Sequence, residues 1–184
     1  MKLIRRPRWR ISIAGAILGA ALALTLGLTS ASAQASTIPA PTGAVCVITA
    51  TGYSVQGDAK MVTGTEETCY SNLAHYKAAQ LAAPDVAAAA VNVGYGCTAA
   101  NFGGTCYYFE TPTGCTTGNF WYWNTLDAAT NNRLNSMESF PMSGCFYATV
   151  YSLPYLTGQA ISCFNACYGL GTIANHDESL AIGS

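Results

Sequence analysis

Positive charge is scarce in this sequence beyond its first ten residues. Five of the eight Lys and Arg (Lys2, Arg5, Arg6, Arg8 and Arg10) crowd the amino end, and only Lys60, Lys77 and Arg133 remain to face nine acidic residues. Beyond the amino end the chain therefore carries a formal charge of −6 with His neutral. So few cations cannot neutralise phosphates, which excludes nucleic-acid binding and makes an anionic membrane an equally poor partner. Histidine is nearly absent, with His75 and His176 far apart. No paired CxxC occurs either, so the spacing of a zinc site is missing, and Cys163-x3-Cys167 alone is weak evidence for metal.

The amino end has the order of a secretory signal: cations, an apolar run from Ile11 to Leu28, then small residues at Ala31-Ser32-Ala33. The run approaches the length of a membrane span, but its Ala- and Gly-rich character and the "ASAQAS" that ends it favour cleavage. The expected domains are a signal peptide at 1–33, a flexible leader at 34–45, a small segment with one helix at 46–90, and a β domain at 91–184. Removing 33 of the 184 residues leaves 151, enough for one domain with a real core. Such a chain is exported to an extracellular location and meets a membrane only through its signal.

All eight cysteines (Cys46, Cys69, Cys97, Cys106, Cys115, Cys145, Cys163 and Cys167) lie in the exported part. An even number there implies a disulfide framework, although eight thiols allow 105 pairings and spacing alone does not choose. "VCVITAT" at 45–51 predicts a strand, and a second is expected around Ala59 to Thr63. "TCYSNLAHYKAAQLAA" at 68–83 predicts the one helix, capped by Ser71 or Thr68, with Leu73, Tyr76, Ala79, Gln80 and Ala83 on one face and Pro84 as its stop. "DVAAAAVNV" at 85–93 is open between helix and strand. From Gly94 onward no helical stripe survives, and short aromatic and β-branched runs separated by turn residues predict an all-β domain.

That β region repeats itself. "CTAANFGG" at 97–104 and "YSLPYLTG" at 151–158 share an offset of 54 residues, which matches Cys97 with Tyr151, Phe102 with Leu156 and Gly104 with Gly158. Strands are predicted at 105–110 and 159–164, and each half closes on an asparagine-led phrase, "NNRLNS" at 131–136 and "NHDESL" at 175–180. A glycine two residues past a large apolar anchor permits positive φ, so a hairpin can fold back over the residue five positions before the anchor. Short polar side chains later in each half can then clasp the turn backbone. Two such four-stranded units, stacked face to face, make a sandwich.

Tyr-x4-Leu-x-Gly at 151–158 resembles the aromatic-x4-Phe-x-Gly motif of βγ-crystallin Greek keys, and "NNRLNS" resembles that family's Asn/Asp-Asn/Asp-x-x-Ser/Thr-Ser phrase. "ANFGGTCYYF" and "CFNACYGLG" are similar to exported actinobacterial members, a group that includes the Streptomyces-type metalloproteinase inhibitors. "EETCYSNLAHY" resembles the leader that precedes the domain in other members. The resemblance implies a double Greek key βγ-crystallin-like sandwich with motifs at about 94–140 and 145–182, preceded by a small disulfide-tied α/β leader. It also implies the pairings Cys115–Cys145 and Cys163–Cys167, which leaves Cys46–Cys69 for the leader. Cys97 departs from the family pattern where an aromatic is expected, and a bridge to Cys106 would replace that clamp.

Calcium is the cofactor the resemblance brings with it, through Asn131, Asn132, Ser136, Asn175 and Ser179. It wants six to eight oxygens, and the phrases are imperfect. Asn135 replaces a Ser/Thr, and in the second half His176 and Leu180 stand where Asn/Asp and Ser are expected, so Asp177 and Glu178 would compensate only by pointing inward. No catalytic constellation emerges: the histidines are isolated, and Glu66, Glu67 and Glu110 have no glycosidase spacing. Phe120, Trp121, Tyr122 and Trp123 alternate on a strand, two inward and two outward, and outward aromatics suit sugars or protein partners as well as plain packing. The reading is a secreted non-catalytic binding protein, most sharply a metalloproteinase inhibitor with Thr111 to Gly118 as the offered loop. Its partner would be an extracellular protease or a cell-surface component. A structural or stress-protective protein and an antimicrobial effector are the alternatives.

Overall fold

Residue alternation builds the sheet. In the computed structural model, which describes residues 41–82 and 90–184, Phe120–Trp123 shows half-buried and buried side chains in strict alternation. The expected signal peptide, residues 34–40 of the leader, and the helix stop at Ala83 and Pro84 lie outside the described residues, as do residues 85–89. Ten strands form: β1 Val45–Gln56, β2 Ala59–Tyr70, β3 Val91–Ala99, β4 Gly103–Thr111, β5 Phe120–Trp123, β6 Ser136–Ser139, β7 Tyr147–Leu153, β8 Thr157–Phe164, β9 Ala166–Cys167 and β10 Ser179–Gly183. Among the described residues one α-helix, α1, spans Leu73–Ala82 between β2 and β3.

Their order is β8-β7-β10-β5-β2-β1-β4-β3-β6-β9. One half of that order, β4-β3-β6-β9, holds three strands of the first repeat and the third strand of the second. The other half, β8-β7-β10-β5, holds three strands of the second repeat and the third strand of the first. This is a double Greek key sandwich of βγ-crystallin type. The expected double Greek key sandwich is thus present, and its two units exchange their third strands, so neither sheet is complete without the other repeat.

The segment expected as a leader is woven into the same sheet. β1 runs parallel to β4 over Val45–Thr49, and β2 runs parallel to β5 over Ala59–Met61, so the β1–β2 hairpin joins the two sheets along one side. Its register shifts at Gly52, where the hairpin passes from one sheet to the other. The second strand runs to Tyr70, well past the expected Thr63, and α1 begins at Leu73 rather than 68. The reason is the Cys46–Cys69 bridge between paired residues, which keeps 65–70 on β1. Asn72, not Ser71 or Thr68, caps the helix: its Oδ1 accepts from the His75 N–H at 3.0 Å. On the opposite side of the sandwich, Asn165 alone separates β8 from β9, and the Cys163–Cys167 bridge spans that crossing. The other two bridges are Cys97–Cys106 and Cys115–Cys145.

The core between the sheets is built from inward positions: Cys46, Ile48, Phe109, Trp121, Trp123, Met137, Val150, Leu180 and Ile182 all belong to one buried cluster. A second cluster covers the outer face of the first sheet, where Val45, Val47, Tyr95, Tyr108 and Phe102 are sealed by Tyr76 of α1. Burying a side chain of this size contributes roughly 1.5–3 kcal/mol.

The repeat is visible in the backbone. Asn101, Phe102 and Gly104 take φ of 56°, 59° and 73°, and Tyr155, Leu156 and Gly158, 54 positions on, take 57°, 59° and 80°. A Cβ on Gly158 would lie 2.6 Å from Ser152 Oγ, and one on Gly104 would lie 2.3 Å from Thr98 Oγ1. Both glycines therefore combine a left-handed backbone with a contact no side chain fits. Gly158→Ala should cost about 1–3 kcal/mol, read as a melting temperature lowered by several degrees in a thermal scan, with Gly104→Ala at least as damaging.

Candidate functional site

The folded hairpins need holding, because two non-glycine residues in each sit in the left-handed region. Ser136 and Ser179 do this. Ser136 Oγ accepts from the Phe102 N–H at 3.2 Å and donates to the Ala99 carbonyl at 2.8 Å. Ser179 Oγ accepts from the Leu156 N–H at 3.0 Å and donates to the Leu153 carbonyl at 2.6 Å. A second hydroxyl completes each clasp: Thr98 Oγ1 accepts from the Thr105 N–H at 3.1 Å, and Ser152 Oγ from the Gln159 N–H at 2.9 Å. Thr98 and Ser152 escape the sequence reading, although the same 54-residue offset lines them up. Cys97–Cys106 lies beneath the first hairpin at the positions that Tyr151 and Ala160 hold in the second.

The asparagine-led loops meet each other. The Asn132 N–H donates to the Asp177 carbonyl at 2.7 Å, and the Asn175 N–H donates to the Leu134 carbonyl at 2.8 Å. Asn132 and Asn175 both adopt positive φ, 57° and 58°. This pairing corrects the alignment of the two phrases by one residue. Asn175 matches Asn132, and Ser179 rather than Leu180 matches the closing Ser136. The sequence alone aligned the two leading asparagines, and only the backbone conformation shows the shift.

As a calcium cage the five expected residues do not fit. Both serine hydroxyls are buried and already hold their hairpins. Asn132 Nδ2 donates to Asn131 Oδ1. The carbonyls of Leu134, Asn135, Asp177 and Glu178 all accept backbone hydrogen bonds. Calcium, which requires six to eight oxygens, would therefore compete with the hydrogen bonds that hold these loops and hairpins. Asp177 does point inward. It is fully buried, and its Oδ1 accepts from the Leu134 N–H at 2.9 Å while its Oδ2 has no hydrogen-bond partner. Burial pushes its carboxyl up to about 7, against the backbone hydrogen bonds that lower it.

Under α1 lies a polar network absent from the sequence reading. Glu110, which is buried, accepts from the Tyr76 hydroxyl at 3.1 Å and from Thr49 Oγ1 at 3.4 Å. Tyr76 in turn accepts from Gln80 Nε2 at 2.6 Å and Asn92 Nδ2 at 2.8 Å. Burial raises the Tyr76 phenol well above its ordinary value. The signal for it was Gln80 four residues after Tyr76 on the inward helix face, which places an amide where an apolar residue is expected. Glu66 and Glu67 stay exposed on β2; Glu66 and the buried Glu110 are both in register with Thr49, one on each side of β1. Glu67 lies 3.2 Å from Cys69 Sγ, but that sulfur is bridged to Cys46 and offers neither a proton nor a thiolate for metal. His75 is exposed and bonded through Nδ1 to Ser71 Oγ at 2.6 Å, and His176 is exposed on its loop.

The aromatic run divides as its alternation predicts. Trp121 and Trp123 are 1% and 2% exposed and belong to the core, which makes them packing rather than recognition. Phe120 and Tyr122 face out and stack at 5.9 Å.

No family model and no curated protein matches the chain. Among solved structures it is similar to the N-terminal domain of protein S, with 19% identity and a TM-score of 0.39, over 50% of this chain and 96% of that domain. A likeness that distant carries no argument about activity, and the strand order is what defines the fold.

An Asp177 carboxyl that titrates near 7 in the fold and near 3.8 when unfolded keeps its proton only in the native state between those values. Stability from this group is therefore greatest below the lower value and is lost as pH rises through about 7. Asp177→Asn should narrow the gap between melting temperatures at pH 5 and pH 8, mainly by raising the value at pH 8.

Proposed function

We propose that the chain is an exported, non-catalytic binding protein of βγ-crystallin type, related to the Streptomyces-type metalloproteinase inhibitors, and that it presents the 111–118 loop to its partner. The observation that carries this reading is how that loop is braced. Cys115 is bridged to Cys145, and its N–H donates to the Ser143 carbonyl at 2.8 Å. Thr111 Oγ1 donates to the Thr113 carbonyl at 2.7 Å, and Lys60 Nζ donates to Thr113 Oγ1 at 3.0 Å. At the far end, Ser184 Oγ accepts from the Gly118 N–H at 3.1 Å and donates to the Thr116 carbonyl at 2.5 Å. Pro112, Thr113, Thr116, Thr117 and Gly118 nevertheless remain exposed.

A loop fixed at both ends and open between them loses little conformational freedom on binding, and a cut segment would stay in place. Both properties suit a protein that a protease binds without productive cleavage. Four disulfides also fit export, because such bonds persist in oxidising compartments. No helix among the described residues is long and apolar enough to cross a membrane.

Titrating a thermolysin-like metalloproteinase with the protein should remove its activity near a one-to-one ratio. The Thr116→Ala, Thr117→Ala double variant should weaken that inhibition about tenfold or more at an unchanged melting temperature. Undiminished activity across a panel of metalloproteinases sinks the inhibitor reading. A structural, stress-protective role is the second reading, and the paired clasps favour it, since they lock both hairpins through the chain's own hydroxyls. On that reading calcium is not needed. Thermal scans in millimolar calcium and in chelator should give the same midpoint, and a midpoint raised by calcium would contradict the hydroxyl assignment.

A further inference from the structure

The two repeats present equivalent outer faces, and only one of them is covered. On the first sheet the outward pairs are Asn92–Glu110, Tyr95–Tyr108 and Cys97–Cys106, and α1 lies on them through Tyr76. On the second sheet the corresponding pairs are Tyr147–Phe164, Thr149–Ser162 and Tyr151–Ala160, and no described element lies over the first two. Tyr147 and Phe164 are 42% and 62% exposed, with ring centroids 5.3 Å apart. Tyr147 and Phe120 are both in register with Gly183 on the strand between them. The Phe120 ring lies across that glycine, where a Cβ would come within 2.3 Å of it. Tyr122 stacks beside Phe120, so Phe164, Tyr147, Phe120 and Tyr122 form one band across four strands.

We propose that this open face is a platform for a neutral polysaccharide. The side chains that β5, β7, β8 and β10 send to it include no Asp, Glu, Lys or Arg. That composition offers nothing to a phosphate, a charged headgroup or an acidic peptide. It is not an oily patch either: between the pairs Tyr147–Phe164 and Tyr151–Ala160, Thr149 Oγ1 and Ser162 Oγ bond each other at 2.9 Å. That bond leaves one of the two hydroxyl protons still to be paired, and a lipid surface or an apolar partner would bury it at a cost. A pyranose unit has the matching duality, apolar C–H groups on its ring faces and hydroxyls at its rim. The C–H face stacks on the electron-rich face of an aromatic ring, and the rim hydroxyls bond to Thr, Ser and Tyr. Strands lie about 4.8 Å apart, close to the length one pyranose adds to an extended chain, so rings on successive strands can meet successive sugars.

The inference goes beyond the protease reading and stands without it. The full exported chain is tested by affinity electrophoresis and pull-down on a panel of neutral polysaccharides: cellulose, chitin, mannan and β-1,3-glucan. At least one should retain it, and Phe164→Ala and Tyr147→Ala should each weaken retention about tenfold. Both side chains are exposed, so melting should not change. Leu81→Ser, on the exposed side of α1, should bind as the parent does. No retention on any member of the panel overturns the proposal, as does equal retention of the two ring variants. Concentration-dependent dimerisation that Phe164→Ala abolishes, or adsorption to phosphatidylcholine vesicles, would assign the face to a second copy or to lipid and overturn it as well.

Discussion

Two serine hydroxyls hold this fold in shape. Each folded hairpin carries apolar and polar residues through the left-handed region, where a side chain costs roughly 1–2 kcal/mol per residue. Ser136 and Ser179 offset that cost by satisfying an amide and a carbonyl at once in a buried site. Because those serines start β6 and β10, each clasp also fixes where the last strand of its repeat enters the sheet. The hairpins, the strand register and the pairing of the asparagine loops therefore depend on the same few hydrogen bonds.

Exchange of third strands spreads that dependence across the molecule. β5 belongs to the first repeat by sequence and to the second sheet by pairing, and β9 does the reverse. The β1–β2 hairpin then stitches β4 to β5, so residues that precede both repeats complete their sheet. The Cys46–Cys69 bridge inside that hairpin ties its base, while its tip lays Tyr53 edge-on against Trp121 at 5.0 Å.

The glycine kinks, the apolar anchors and the strands after them were legible because backbone sterics leave a spaced pattern. The all-β class showed in the loss of helical spacing after Gly94. Strand exchange was not legible, since nothing in the spacing of β5 says which sheet it will join. The end of β2 was missed because the helical stripe of Leu73, Tyr76, Ala79 and Gln80 begins just past the point where the Cys69 bridge holds the chain extended. Asp177 showed as an acid in a polar phrase, and only the one-residue shift of the loops reveals that its carboxyl is sealed inside. Glu110 sits in a strand that alternates correctly, and its burial depends on a helix arriving from elsewhere in the chain.

Ten strands in one continuous order leave two ends, β8 and β9, and the chain brings them side by side at Asn165. β9 is only two residues long, and the Cys163–Cys167 bridge ties it to its neighbour. β8 has no charged residue and no proline along its length, the devices by which exposed borders usually discourage stacking with other molecules. Among the described residues, the covalent tie at that border is this one link, four residues wide. Reduction of that link would remove the covalent tie between the two borders at the point where they meet.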